Sequence, residues 1–358
     1  RAEALLAIGQ ADLASRLLAG IPKSSRSEAA DVLLLNASLL ARDNAGARAV
    51  ARGRQGPGEI YELTGHKWFC SAPMCDAFLT LAYTEQGVSC FLVPRWRQDG
   101  SRNGIQLQRL KDKLGNKSNA SSEIEYNAAE AMMIGEEGRG VRTIINMVTH
   151  TRLDCVTGPT SLMRQAVMQA GHHVEYRMAF QRKLSQQPLM RNVLADLSLE
   201  QEAATVLCMR LARAFDEGAD DPQAAAFSRL AVAVGKYWTC KRVGTVVGEA
   251  MECLGGAGYV EESILPRLYR ESPLNGIWEG SGNVICLDVL RAMQREPESV
   301  EAFMAEVGAA KGRDTRLDRA IAHLEDEAGR RDATESRPRA AGGHLSLPPA
   351  ASRPARAG

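Results

Sequence analysis

The hydrophobic pattern changes period twice along the chain. In the first fifty residues Leu and Ala recur at helical spacing, in "EALLAIGQADLASRLLAGI" and "AADVLLLNASLLARDNAGARAVARG". The polar turn "PKSSRSE" separates the two runs. This predicts a short helical segment over 1–52. From about residue 58 the pattern becomes short, β-rich runs: "IYELTGHKWFC", "AFLTLAYT", "VSCFLVP", "GIQLQRL" and "SSEIEYN". Polar stretches such as "TEQG", "RWRQDGSRNG" and "KDKLGNKSN" separate them. The spacing predicts a compact antiparallel β-domain over 58–130, a sandwich or small barrel.

From about residue 136 the period is helical and stays so. One long helix is expected through "GRGVRTIINMVTHTRLDCVTGPTSLMRQAVMQAGHHVEYRMAF", a second from "PLMRNVLADL" and a third from "DPQAAAFSRL". Asp221 and Pro222 supply the cap and first residue of the third. "SGNVICLDVLRAMQRE" reads as the fourth. Long helices joined by short loops predict a four-helix bundle over 136–295. A weaker helical region follows over 299–328. The Pro-, Ala- and Arg-rich tail over 329–358 has no periodicity and reads as disordered and basic. The fold class expected is α+β.

Composition narrows the function. Lys and Arg number 44 against 43 Asp and Glu, so a net charge of +1 gives no bulk attraction to nucleic acid or membrane. No apolar run approaches the ~18 residues of a membrane span. The eight cysteines form no C-x-x-C pair and read as reduced, buried thiols of a cytoplasmic protein. No metal site is expected, because clustered Cys and His at ligand spacing are missing. Adjacent His172 and His173 would point about 100° apart on a helix.

One acid stands out. In "NGIWEGSGN", Glu279 lies between a tryptophan and a glycine-rich turn, directly before a helix. It reads as a helix-terminus charge favoured by the macrodipole, a phosphate-loop neighbour or a catalytic base. Gly280, Ser281 and Gly282 allow close backbone approach to a ligand or form an ordinary turn, and Asn283 opens the helix.

The motifs "GHKWF", "RLKDKLGNKSNAS", "LGGAGYVEES", "LPRLYRESP" and "IWEGSGNVICLDVLR", in this order over 58–325, resemble the acyl-CoA dehydrogenase family of flavoproteins, within it the AidB-type branch. The resemblance implies FAD as cofactor, an acyl-CoA thioester as substrate and a homo-oligomer that shares flavin sites between subunits. It implies Glu279 as the base that takes the α-proton. Its backbone N–H then helps to polarise the thioester oxygen. A family subgroup carries its base on the first bundle helix; the matching position here is Thr151, which cannot serve. The residues implied to contact FAD are Phe69 and Ser71 at the ring, Ile277 to Leu287 (with Trp278, Gly280, Ser281, Gly282 and Asn283), and Gly255, Gly256 and Gly258 on the adenine side. Arg177, Phe180 and Gln187 would reach a neighbour's pyrophosphate.

The sequence also departs from the family. Gln181 stands where the family has glycine, and Glu252 where many members have glutamine. An all-helical N-terminal domain, its M-T-E-x-x-G-S-D loop and most of a C-terminal helical domain are not recognisable. The expectation is a truncated or fused member. Three functions compete: an FAD-dependent acyl-CoA dehydrogenase, an AidB-type flavoprotein of the alkylation response that binds double-stranded DNA, and a flavin-free helical scaffold.

Overall fold

The computed structural model describes residues 49–53 and 60–335. The helices read before residue 49 and the tail read after 335 lie outside the described residues. The chain opens with β1 (Ala49–Gly53), β2 (Ile60–Cys70), β3 (Ala77–Thr84), β4 (Gly87–Pro94), β5 (Ile105–Leu110) and β6 (Ser122–Ile134). The sheet order is β2-β1-β3-β4-β6-β5, and a further pairing of β2 with β6 closes it on itself. Every pairing in this sheet is antiparallel except β1 with β3. Leu63, Phe91, Val93, Ile124 and Tyr126 point into its core.

Three boundaries differ from the sequence reading. The helical reading of 1–52 ran into β1: "AVARG" pairs residue for residue with Gly65–Tyr61 of β2, and strand pairing overrides its alanine-rich helical look. The last strand continues four residues beyond 130, to Ile134, with Ala128 at φ +48. The region read as one weak helix over 299–328 is two helices, and the second runs to Glu335, past the point where disorder was expected.

The helical part comprises α1 (Gly140–Tyr176), α2 (Pro188–Glu217), α3 (Pro222–Leu254), the short α4 (Gly256–Tyr259) and α5 (Leu265–Glu271), α6 (Gly282–Arg295), α7 (Pro297–Gly308) and α8 (Thr315–Glu335). α3 is the central helix. Fourteen of its residues are buried, and it packs against α1, α2, α6 and α7. α1 was read through "EYRMAF" but ends at Tyr176. Beyond it Met178–Ala179 and Arg182–Lys183 pair as a small hairpin, β7 and β8.

Two motifs from the sequence meet where sheet and bundle join. Gly115 of "KLGNKS" lies so close to the carbonyl of Arg270 in "LPRLYRESP" that a Cβ would sit 2.4 Å from that oxygen. The neighbouring Asn116 N–H donates to Glu271 Oε1 at 2.8 Å. Only glycine fits the first position.

Candidate active site

The site is built on the turn between α5 and α6. Glu279 adopts φ +54, the left-handed region that a residue with a Cβ enters at a cost of ~1–2 kcal/mol. Three consecutive carbonyls around it are held by buried cations. Lys236, in the middle of α3 and 1% exposed, donates from Nζ to Trp278 O at 2.7 Å and to Gly280 O at 2.5 Å. Arg152 of α1, also buried, directs Nε at the carbonyl of Glu279 at 3.4 Å. A rare backbone conformation persists only where its surroundings over-determine it, and this clamp does so.

Arg152 is itself anchored. Its Nη1 donates to Asp288 Oδ2 at 2.5 Å, and Arg229 of α3 reaches the same carboxylate at 3.2 and 3.3 Å. Burial pushes the Asp288 carboxyl up, but Arg229 and Arg152 outweigh it and hold it below its ordinary value. Burial pushes the Lys236 ammonium down, partly offset by nearby Cys155 and Cys240.

The Glu279 side chain is half-buried. Its Oε2 lies 2.8 Å from Thr151 Oγ1, whose single proton serves either that oxygen or Val148 O at 3.0 Å. Thr151, at the position where a base was excluded, thus holds the carboxylate of the other candidate. Trp278 Nε1 donates to Asn275 Oδ1 at 3.2 Å. Pro159 within α1 has no N–H for the carbonyl of Cys155, and Cys240 Sγ lies 3.3 Å from that oxygen and 3.1 Å from Asn275 O. The Cys155 thiol is pushed up to about 12 by burial, so it stays protonated.

The remaining expected residues lie elsewhere. Phe69, 59% exposed, ends β2, with Ser71 exposed just beyond. Lys111 Nζ sits 3.2 Å over the ring of Trp68 and 4.6 Å over that of Phe69, and it pairs with Glu123 at 2.6 Å. Arg177 and Phe180 are exposed, Phe180 at 91%. Phe180 at φ +52 and Gln181 at φ +61 form the two-residue turn of the β7–β8 hairpin, so the turn forms without the glycine. Gln187 Nε2 ties it down through Ala179 O at 3.1 Å. Gly255 takes φ +60, ψ −140 at the end of α3, where a Cβ on it or on Gly256 would meet open space. Gly258 is different: a Cβ there would strike Met251 O at 2.3 Å. Ile277 is 65% exposed, Ser281 precedes α6 and Asn283 lies in its first turn.

One chain brings together Thr151, Arg152, Lys236, Trp278, Glu279, Gly280 and Asp288. It does not bring Arg177 to them. Arg177 follows Thr151 by 26 residues of helix, roughly 39 Å at 1.5 Å per residue. Lys236 and Asp288 escaped the sequence reading. The available signal was a lone lysine in the apolar run "LAVAVGKYWTC" and a lone aspartate in "VICLDVL". Among the described residues no three metal-ligating side chains cluster, and no helix is long and apolar enough to cross a membrane.

Comparison with known proteins shows what the chain is similar to. Residues 42–129 match the acyl-CoA dehydrogenase middle domain, and residues 138–294 the acyl-CoA dehydrogenase C-terminal domain. The chain is 49% identical over 267 residues to the putative acyl-CoA dehydrogenase AidB of Escherichia coli (strain K12), covering 75% of this chain and 49% of that protein. It is 34% identical over 276 residues to acyl-CoA dehydrogenase family member 11 of Caenorhabditis elegans, covering 72% and 45%. The solved structure of Caenorhabditis elegans ACDH-11 in complex with C11-CoA superposes with a TM-score of 0.72 at 28% identity, over 91% of this chain and 60% of that one. The chain spans about half the length of these two curated relatives.

Proposed function

The chain belongs to the acyl-CoA dehydrogenase family, and from that premise we propose that it carries the proton-abstracting site for α,β-dehydrogenation of an acyl-CoA thioester, with Glu279 as the base. The observation that supports this most is the clamp. A carboxylate is held in strained backbone by two buried cations from two helices, with a hydroxyl on one of its oxygens. A helix-terminus charge needs none of that.

In the proposed reaction Glu279 takes the α-proton, while its N–H polarises the thioester oxygen as enolate character develops. Thr151 fixes the free carboxylate oxygen, and Lys236 and Arg152 keep the backbone from relaxing. Members of the family are FAD-dependent flavoproteins, and FAD when bound would supply the hydride acceptor. The chain's own surface fits such a group. Phe69, Ile277 and Phe180 are large apolar side chains left in water at the expected contact positions, and Gly255 and Gly256 leave open space. Phe69, Ser71 and residues 277–283 would hold the ring side, Gly255 and Gly256 the adenine side.

The distance to Arg177 supports sharing between copies. A group held at Glu279 in one chain would take Arg177, Phe180 and Gln187 from another. The acyl-CoA ligand, the homo-oligomer and a cytoplasmic setting are parts of this proposal; all eight cysteines are free. Duplex DNA, implied by the AidB-type resemblance, has no support in the net charge of +1. Salt-dependent retention of a duplex would supply it.

The deciding test is the visible spectrum of the chain after incubation with FAD and desalting, followed by acyl-CoA titration. A retained flavin band bleached by acyl-CoA, with bleaching lost in Glu279→Gln, is expected. A chain that retains no flavin would sink this reading and leave the scaffold.

A further inference from the structure

Outside the site described, the structure has a groove of about 560 Å³ on the β-domain, within the size range of small-molecule pockets. It is lined by Pro73 and Met74, by Arg95, Trp96, Arg102 and Asn103 of the β4–β5 loop, and by the apolar Ile105, Leu107 and Ile124 of the sheet.

The loop is a preformed frame. Trp96 and Arg102 pair as an antiparallel bridge, and Arg97 N–H donates to Ser101 O at 2.8 Å. Asn103 is buried and pins the base of the loop. Its Nδ2 donates to Pro94 O at 2.7 Å and Glu130 O at 2.8 Å, and its Oδ1 accepts from Gly104 and Glu130 N–H. The groove therefore needs little ordering on binding.

Its charge is unbalanced. Arg95 gives one arm to Asp76 at 3.0 Å, but that carboxylate is almost wholly exposed and screens it weakly. The Nε atoms of Arg95 and Arg97 are buried without a hydrogen-bond partner. Arg102 has no carboxylate partner among the described residues; its guanidinium lies 5.0 Å from the ring centroid of Trp96. Trp96, Met74 and Leu107 remain 44%, 60% and 53% exposed. A guanidinium recognises carboxylate or phosphate through its planar fork, and an indole takes a flat ring.

We propose that this groove binds a small organic anion that carries a planar ring, at a site lined by none of the residues assigned to the Glu279 turn or to the flavin. The test is calorimetric titration of the full chain with phenyl phosphate, and with inorganic phosphate and phenol as its two halves. Phenyl phosphate is expected to bind at least about tenfold more tightly than either half. Arg102→Gln should weaken it about tenfold and Trp96→Leu about fivefold, with circular dichroism and melting midpoint unchanged. Met74→Glu, at an exposed rim position, should abolish binding without touching the fold. Glu279→Gln should leave binding intact. The proposal is overturned by the absence of saturable binding at millimolar phenyl phosphate. It is equally overturned by equal affinity for inorganic phosphate, or by binding that survives Arg102→Gln and Met74→Glu.

Discussion

Among the places where side-chain-bearing residues adopt left-handed backbone, two turns are held in opposite ways. At Glu279 the turn is gripped from inside by Lys236 and Arg152, both buried. At Phe180–Gln181 the hairpin stands in water, tied by strand pairing and the Gln187 amide. The first geometry is complete within one chain. The second carries an exposed arginine and a phenylalanine 91% exposed, which is costly display for a monomer. On the function proposed above, the contrast separates a base fixed before substrate arrives from a surface that another copy would complete.

The largest expected effect breaks the clamp at its anchor. Asp288→Ala leaves Arg152 buried and Arg229 without this carboxylate, and losing one partner of a buried pair costs ~3–5 kcal/mol. Denaturant titration checks it. The matching change at the hairpin, Glu175→Ala opposite Lys183, should leave the denaturant midpoint almost unmoved, because that pair lies in water. Equal losses would remove the distinction.

Lys236→Met comes next. It keeps an unbranched side chain one atom shorter and deletes the ammonium, so two carbonyls beside Glu279 lose a charge-assisted bond. A loss of ~2–3 kcal/mol is expected, moderated by the desolvation that the ammonium no longer suffers. Any bleaching by acyl-CoA should fall further than the melting midpoint does, because Glu279, the proposed base, loses its placement. A variant that is less stable but keeps full bleaching would show the lysine to be packing alone.

Acid gives a graded version of the same comparison. Asp288 and Glu175 both have folded values held below the ordinary carboxylate range, Asp288 against the pull of burial and Glu175 through its bond to Lys183. Each contributes stability that is complete above its unfolded value, ~4, and is lost as pH falls through the lower folded one. The Asp288 share is the larger because its partners are desolvated. Urea midpoints measured from pH 5 downward should therefore fall less steeply in Asp288→Asn than in the parent, while Glu175→Gln follows the parent.

The sequence carried the periods, and with them a β-sheet followed by a helical region, because alternation and helical spacing are local signals. It missed the lock around Glu279 for a physical reason. Lys236 and Asp288 lie 43 residues before and 9 after the base, and nothing local tells a buried lysine from a solvated one. β1 was read as helix because its partner strand, not its alanines, decides the conformation of "AVARG". The hairpin was read as more of α1 because the bonds that mark the turn-back, Met178 with Lys183, Ala179 with Arg182 and Leu184 N–H to Arg177 O, join residues that helical spacing does not relate.

The smallest expected effect probes both turns with the same substitution. Gln181→Gly removes the left-handed penalty at an exposed position of the turn, so a gain of ~1 kcal/mol is expected. Glu279→Gly relieves the same backbone penalty, yet it also deletes the carboxylate that Thr151 meets at 2.8 Å, worth ~1 kcal/mol, and frees a backbone that Lys236 and Arg152 hold in place. Its net change should be near zero. Melting midpoints of the two variants side by side decide the matter. A clear gain at both positions would mean that the carboxylate contributes nothing to its own clamp. A gain at 181 alone means that the strain at 279 is tied to the carboxylate it presents.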